Sequence, residues 1–258
     1  MDERDDFSAC AALVERGDPG RFRATMAAPL AARRVLFPLY AFNLEVARAP
    51  WVTQEPMIAR MRLQWWRDAL AEIEAGGFVR RHEVVTPLAT VISDKDARQL
   101  DVLVEAREWD VEPSVFPDES ALWAYLDATA GGLIAVAARA LGGGEALAER
   151  AGRALGLANW FQALPALEAA GRRPLSDTGD DAIRTLATHA LDDLKSMRRD
   201  WSQVPKQARA AFYPMAGAGK VLRQAARDPQ KVRDGALGGG ELGSRLPLTL
   251  TAMTGRLW

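Results

Sequence analysis

An all-α fold is what this chain predicts, and three observations carry that prediction. Alanine and leucine dominate while β-branched residues are sparse, no convincing run of six or more alternates apolar with polar, and apolar residues recur at helical spacing between glycine and proline stops. With 258 residues, 48% hydrophobic and 26% charged, the chain holds enough apolar material for one large core or two small ones. No internal repeat and no long linker divides it, so a single domain over residues 1–258 is expected.

The elements follow in order. In "PMIARMRLQWWRDALAEIEAG", Leu63, Trp66, Leu70 and Ile73 share one helical face, and Gly76 and Gly77 stop the helix. Trp65 and Trp66 cannot both point inward, because neighbours on a helix lie about 100° apart. "SDKDARQLDVLVEAREWD" starts with Ser93 or Asp94 as N-cap and runs toward Trp109, with Pro113 and Pro117 marking the loop beyond. A new helix begins near "DESALWAYLDATAGGLIAVAARAL", and another covers roughly Glu145 to Ala169, where Pro165 is expected to kink or end it. Asp180 is read as the cap of a long amphipathic helix with Leu186, Ala190, Leu194, Met197 and Trp201 inward, closed by Pro205. Two further helices are expected over Lys206 to Asp228 and Leu242 to Leu257, separated by the glycine-rich "DGALGGGELGS".

The bulk numbers also exclude some functions. A formal net charge of −1 gives no general attraction to nucleic acid, so no nucleic-acid partner is expected. One cysteine, Cys10, rules out an internal disulfide, and no Cys/His spacing suggests zinc. The acidic start "MDERDDFSAC" lacks the basic residues and apolar run of a secretion signal, so a cytoplasmic setting is expected. "ATAGGLIAVAARALGGG" is read as too short, and too interrupted by Gly131, Gly132 and Arg139, to span a bilayer of about 30 Å. Peripheral contact at the inner membrane stays open.

Three ordered stretches resemble the squalene/phytoene synthase family. They are "ARRVLFPLYAFNLEVARAPW", "MRLQWWRDAL", and "YLDATAGGLIAVAARAL" running into "ALGLANWFQALPALEAAGRRPL". The resemblance covers roughly Phe22 to Leu175 and implies a helical bundle of the isoprenoid synthase type around a central cavity. In active members, two acid clusters face each other across that cavity and hold magnesium and a diphosphate. On the implied register the first cluster becomes Ala47, Arg48 and Trp51, and the second Ala163, Ala166 and Leu167. Pro50 and Pro165 fall within the two altered turns. The closer likeness is to a branch that resembles the assembly factors of mitochondrial respiratory complex I. Its motifs match Ala41, Phe42, Asn43, Glu45 and Ala47, then Met61, Arg62, Gln64 and Trp66.

What the resemblance implies is therefore a non-catalytic protein with no catalytic residue, no metal ligand and no cofactor, whose partners are proteins such as respiratory-complex subunits. The alternatives are a head-to-head prenyltransferase, which would need magnesium, and a carrier for an isoprenoid or lipid ligand. Candidate cavity or ligand residues are Arg33, Arg34, Tyr40, Asn43, Glu45, Arg48, Arg62, Trp66, Tyr125, Asn159 and Gln162. Arg33 and Arg34 suit a phosphate because a guanidinium offers a bidentate fork, though either can pair with a surface acid instead. Arg48 can bind an anion directly or pair with Glu45. His82 and His189 have no nucleophile nearby and are assigned no catalytic role.

Overall fold

A computed structural model describes residues 3–112, 115–239 and 241–255, and among these there is no strand. The helices are α1 (Glu3–Gly17), α2 (Pro19–Met26), α3 (Leu30–Arg48), α4 (Pro56–Ala75), α5 (Val85–Ala89), α6 (Asp94–Ala106), α7 (Glu119–Leu126), α8 (Gly132–Ala140), α9 (Ala148–Ala169), α10 (Asp180–Asp200), α11 (Ala218–Arg227), α12 (Gln230–Arg233) and α13 (Glu241–Thr254). Pro113, Gly240 and Leu257, which the sequence places in loops and at the last helix end, lie outside the described residues.

Local chemistry sets most boundaries. Ser93 caps α6 in a reciprocal box with Asp96, and Asp118 caps α7 by accepting from the Ala121 N–H. Gly76, at φ 66°, ends α4 in the left-handed conformation that a side chain would resist. Helices α1 and α2 go beyond what the sequence predicts. For α2 the signal was present, since Asp18 accepts from the Arg21 N–H and Pro19 takes the first helical position.

Four expectations are corrected. Asp180 is the first residue of α10 rather than its cap, which is Gly179. The helix expected from Glu145 begins as a 3₁₀ turn over Glu145–Leu147 and becomes α only at Ala148, and Pro165 sits inside it without ending it. Lys206 to Asp228 is not one helix. A 3₁₀ segment runs Lys206–Met215, and Gly217, at φ 99°, breaks the chain before α11. Finally, α7, a π-helical turn over Asp127–Gly131, and α8 follow without a break, so Glu119–Ala140 is long and apolar enough by composition to cross a membrane. Two thirds of that window is buried by the rest of the fold, which makes it a core helix.

The core is built around α9, which packs on α8, α10, α11 and the π turn, while α3 packs on α1 and α4 on α6. From Ala151 to Ala158 every residue of α9 but Arg153 is buried, Ala151, Ala154, Leu155, Leu157 and Ala158 among them, as a central helix requires. Phe42, Phe161 and Phe212 are fully buried anchors of the same core. On α10, the predicted inward residues Leu186, Ala190, Leu194 and Met197 are all buried, and Trp201 just beyond it is as well.

Candidate functional site

The α3 and α9 helices face each other across a cavity of about 330 Å³. Helical spacing decides which residues reach it. On α3, Asn43 and Ala47 fall one turn apart, and Trp51 extends the stripe beyond the helix end; on α9, Gly156, Asn159, Trp160, Ala163 and Leu167 do the same. The π turn supplies Thr129 and Ala130, with Tyr125 just before it. Such a turn widens the helix and re-aims neighbouring side chains.

Three of the eleven sequence candidates meet there: Asn43, Tyr125 and Asn159. Asn43 is buried to 7% exposure and makes no side-chain hydrogen bond to another described residue, so its amide faces the cavity unpartnered. Tyr125 is bound into a cluster. Its hydroxyl donates to Asp110 Oδ2 at 2.8 Å and accepts from Arg107 Nη1 at 2.5 Å, and Arg107 also donates to Asp110 at 3.0 Å. Burial pushes the Tyr125 hydroxyl well above its ordinary range, against the pull of Arg107. Trp109 stacks on Phe116 at 3.9 Å, with Tyr125 and Trp160 packed beside them, so the cavity wall here is aromatic.

The remaining eight candidates lie elsewhere, each for a local reason. Arg33 donates to the Ala28 and Met26 carbonyls at 2.9 and 2.7 Å and so ties up the end of α2, and Arg34 is exposed on α3. Tyr40 is buried under the Arg21 guanidinium rather than on the cavity wall, and burial raises its hydroxyl pKa. Arg48, one residue beyond inward Ala47, is rotated to solvent and faces Glu45 loosely at 4.0 Å. Glu45 is accordingly outside the cavity too. Arg62 is exposed on α4. Trp66 is core, edge-on to Phe42 and to half-buried Trp65, and His82 packs on both indoles with its pKa lowered by that burial. Gln162 is exposed and lines a separate depression with Gly238.

Other cavity residues were not singled out as site residues from sequence. Arg21 enters from α2 and Asp18 from its cap, Arg107, Trp109 and Asp110 from the 3₁₀ turn after α6, and Arg172 and Pro174 from the loop after α9. The Arg172 guanidinium lies over the Trp51 ring at 4.8 Å and pairs with no carboxylate among the described residues. Only tertiary packing brings these segments together, and no local sequence pattern announces it.

A magnesium ion, which the family resemblance implies for active members, takes several oxygen ligands. The cavity wall offers two carboxylates, and both are already engaged. Asp18 accepts from the Arg21 backbone at 2.8 Å and its guanidinium at 2.6 Å; burial raises its pKa, but Arg21 outweighs that and holds it below the ordinary value. Asp110 is held by Arg107 and Tyr125. Among the described residues no group of three His, Cys, Asp or Glu is placed to hold a metal. The residues present do not fit the ion.

Comparison with known proteins agrees with this architecture. A sequence profile described as squalene/phytoene synthase matches residues 14–178. The chain is 28% identical over 255 aligned residues to a Drosophila melanogaster protein named NADH dehydrogenase (ubiquinone) complex I, assembly factor 6 homolog, covering 84% of this chain and 75% of that one. Among solved structures, a dehydrosqualene synthase bound to a ligand superposes with a TM-score of 0.77 over 98% of this chain and 96% of its own, at 14% identity. The squalene synthase HpnC from Alicyclobacillus acidocaldarius gives 0.70 over 88% and 95%, at 18% identity. These two likenesses establish the isoprenoid synthase fold, and the profile, matching well over half of the sequence, establishes that the chain belongs to the squalene/phytoene synthase family.

Proposed function

We propose that this protein is a non-catalytic member of its family that serves the assembly of a respiratory membrane complex of the complex I type, in the cytoplasm at the inner membrane surface. One relation supports the non-catalytic part: on the register that the resemblance implies, the metal-binding acids of active members fall at Ala47, Trp51, Ala163 and Leu167, and these four side chains line the cavity. Arg48 and Ala166, the other two, point away from it. At 4 Å and an effective dielectric of 20, each carboxylate–cation contact is worth about 4 kcal/mol, so the absence of several exceeds what side-chain relaxation restores. The likeness to the fly protein named as a complex I assembly factor supports the assembly part, with respiratory subunits as the proposed partners.

The test has two arms. Purified protein given farnesyl or geranylgeranyl diphosphate with magnesium is expected to release no pyrophosphate and form no condensed hydrocarbon. Deletion of its gene is expected to lower NADH-dependent quinone reduction, and the tagged protein to co-purify with respiratory subunits. Turnover to a condensed product overturns the non-catalytic reading, and unchanged respiration overturns the assembly role.

A second reading, a carrier for an uncharged isoprenoid, is favoured by the cavity itself. Its volume lies at the lower end of the range of small-molecule sites, about 300–1,000 Å³, its wall is largely apolar, and the unpartnered Asn43 amide could anchor a ligand's polar end. Saturable binding without turnover is its signature.

A further inference from the structure

The large apolar side chains exposed among the described residues are not scattered. Five of eleven lie in one short stretch: Trp51, Val52, Met57, Ile58 and Met61. On α4, Met57, Ile58 and Met61 fall within about 100° of one another, on the side opposite buried Ala59, Leu63, Trp66 and Leu70. The start of α4 is therefore apolar on two faces. The inner one is used by the core, and the outer one, with Met57 at 73% and Met61 at 65% exposure, is left open among the described residues.

Charge narrows the choice of occupant. From Arg48 to Arg62 the chain carries three arginines and one glutamate, in a protein whose formal net charge is −1. Arg60 is tied to Glu112 at 2.6 Å, but Arg48 has only the loose contact with Glu45, and Arg62 has no ion pair among the described residues. Arg172, stacked on Trp51, adds a further cation without a carboxylate, and Arg173 follows it with no ion pair among the described residues. We infer that the Trp51–Met61 face seats this protein on an anionic lipid bilayer, with the methionines, Ile58 and Trp51 entering the interface and the arginines meeting lipid phosphates.

The arrangement disfavours a second copy of the chain. Two-fold pairing would set the same arginines against one another, and the five side chains expose on the order of 500 Å², against about 800 Å² per partner in a stable interface. A bilayer has no such minimum, because apolar side chains and cations act there additively. Trp51 belongs both to this face and to the cavity wall, so docking would turn the cavity mouth toward lipid. The inference does not depend on the assembly role, and its test is independent of respiration.

The experiment is flotation of the full chain with vesicles of phosphatidylcholine alone and of phosphatidylcholine mixed with phosphatidylglycerol. Binding is expected only to the anionic vesicles, with release by salt. The double variant Met57→Glu/Met61→Glu is expected to lose about tenfold or more in partitioning, and Arg62→Glu a smaller part, while both keep the wild-type melting temperature because these side chains touch solvent. Failure of the wild type to float with anionic vesicles overturns the inference. So does equal flotation of the double variant, equal binding to neutral vesicles, or a wild-type dimer that the double variant dissolves.

Discussion

Gly152 of α9 and Gly131 of the π turn approach so closely that a Cβ on Gly152 would stand 2.2 Å from the Gly131 Cα. The obstruction is backbone, so no side chain can swing aside. Gly152→Ala is expected to destabilise the fold by about 1–3 kcal/mol or more through overpacking. Gly77→Ala, where nothing lies within 4 Å, is expected to stay within roughly 0.5 kcal/mol. Urea unfolding of the two variants checks both, and a neutral Gly152→Ala would mean that α9 and the π turn are not pressed together.

Tyr125 sits between a cation and an anion that burial would otherwise leave short of partners. Tyr125→Phe removes the bond to Asp110 and the acceptor of Arg107, and should cost about 1–3 kcal/mol. Asp110→Ala should cost more, about 3–5 kcal/mol, because the Arg107 guanidinium loses its carboxylate partner and its Nε is already buried without an acceptor. Thermal melts of the two single variants give the order, and an equal loss would show that Arg107 finds another partner.

Sequence and structure part company where tertiary packing decides. The α4 helix was readable end to end and α6 at its start, because Gly76 and Ser93 are local signals and their apolar residues keep a 3.6-residue period, but the run expected toward Trp109 leaves the α-helix after Ala106 and tightens into a 3₁₀ turn. The inward face of α10 was readable for the same reason. The break at Gly217 was not, because Lys206 to Asp228 keeps an apolar rhythm that a 3₁₀ segment also satisfies. Within the site, Asn43, Tyr125 and Asn159 were legible from the family register. Arg107, Asp110 and Arg172 were not, since each reaches the cavity from a turn or loop whose direction depends on what it packs against. Arg33 misled because a guanidinium that suits phosphate equally suits the carbonyls at a neighbouring helix end.

The single thiol reports on the packing of α1. Burial, with Glu83 and Asp6 adding to it, pushes Cys10 from an ordinary 9.0 up to about 12. At pH 8 the native protein is expected to resist a thiol reagent that modifies the urea-unfolded chain at once. The sign of the pH effect follows from linkage. The unfolded thiol loses its proton near pH 9 while the folded one keeps it until about 12, so this group's contribution to stability is intact below pH 9 and lost progressively between those values. Cys10→Ala should flatten that part of the curve relative to wild type, and rapid labelling of native protein at pH 8 would contradict the burial.

Asn43 sets stability against ligand capture. Its amide lines the cavity and makes no hydrogen bond to another described residue, whereas a leucine, of the same branched shape but larger, would add apolar surface to the same wall without a polar group to satisfy. Asn43→Leu is expected to raise the melting temperature by an amount corresponding to about 1 kcal/mol, from the apolar surface it places against the cavity wall. If the cavity takes a ligand with a polar end, the same substitution should weaken binding of a probe such as a short-chain isoprenoid alcohol by about tenfold, the loss of one hydrogen bond in an apolar site. Gain of stability with loss of binding is the pattern expected of a residue kept for a ligand. Loss of stability would instead show that the Asn43 amide is satisfied within the fold, and the carrier reading would lose its main support.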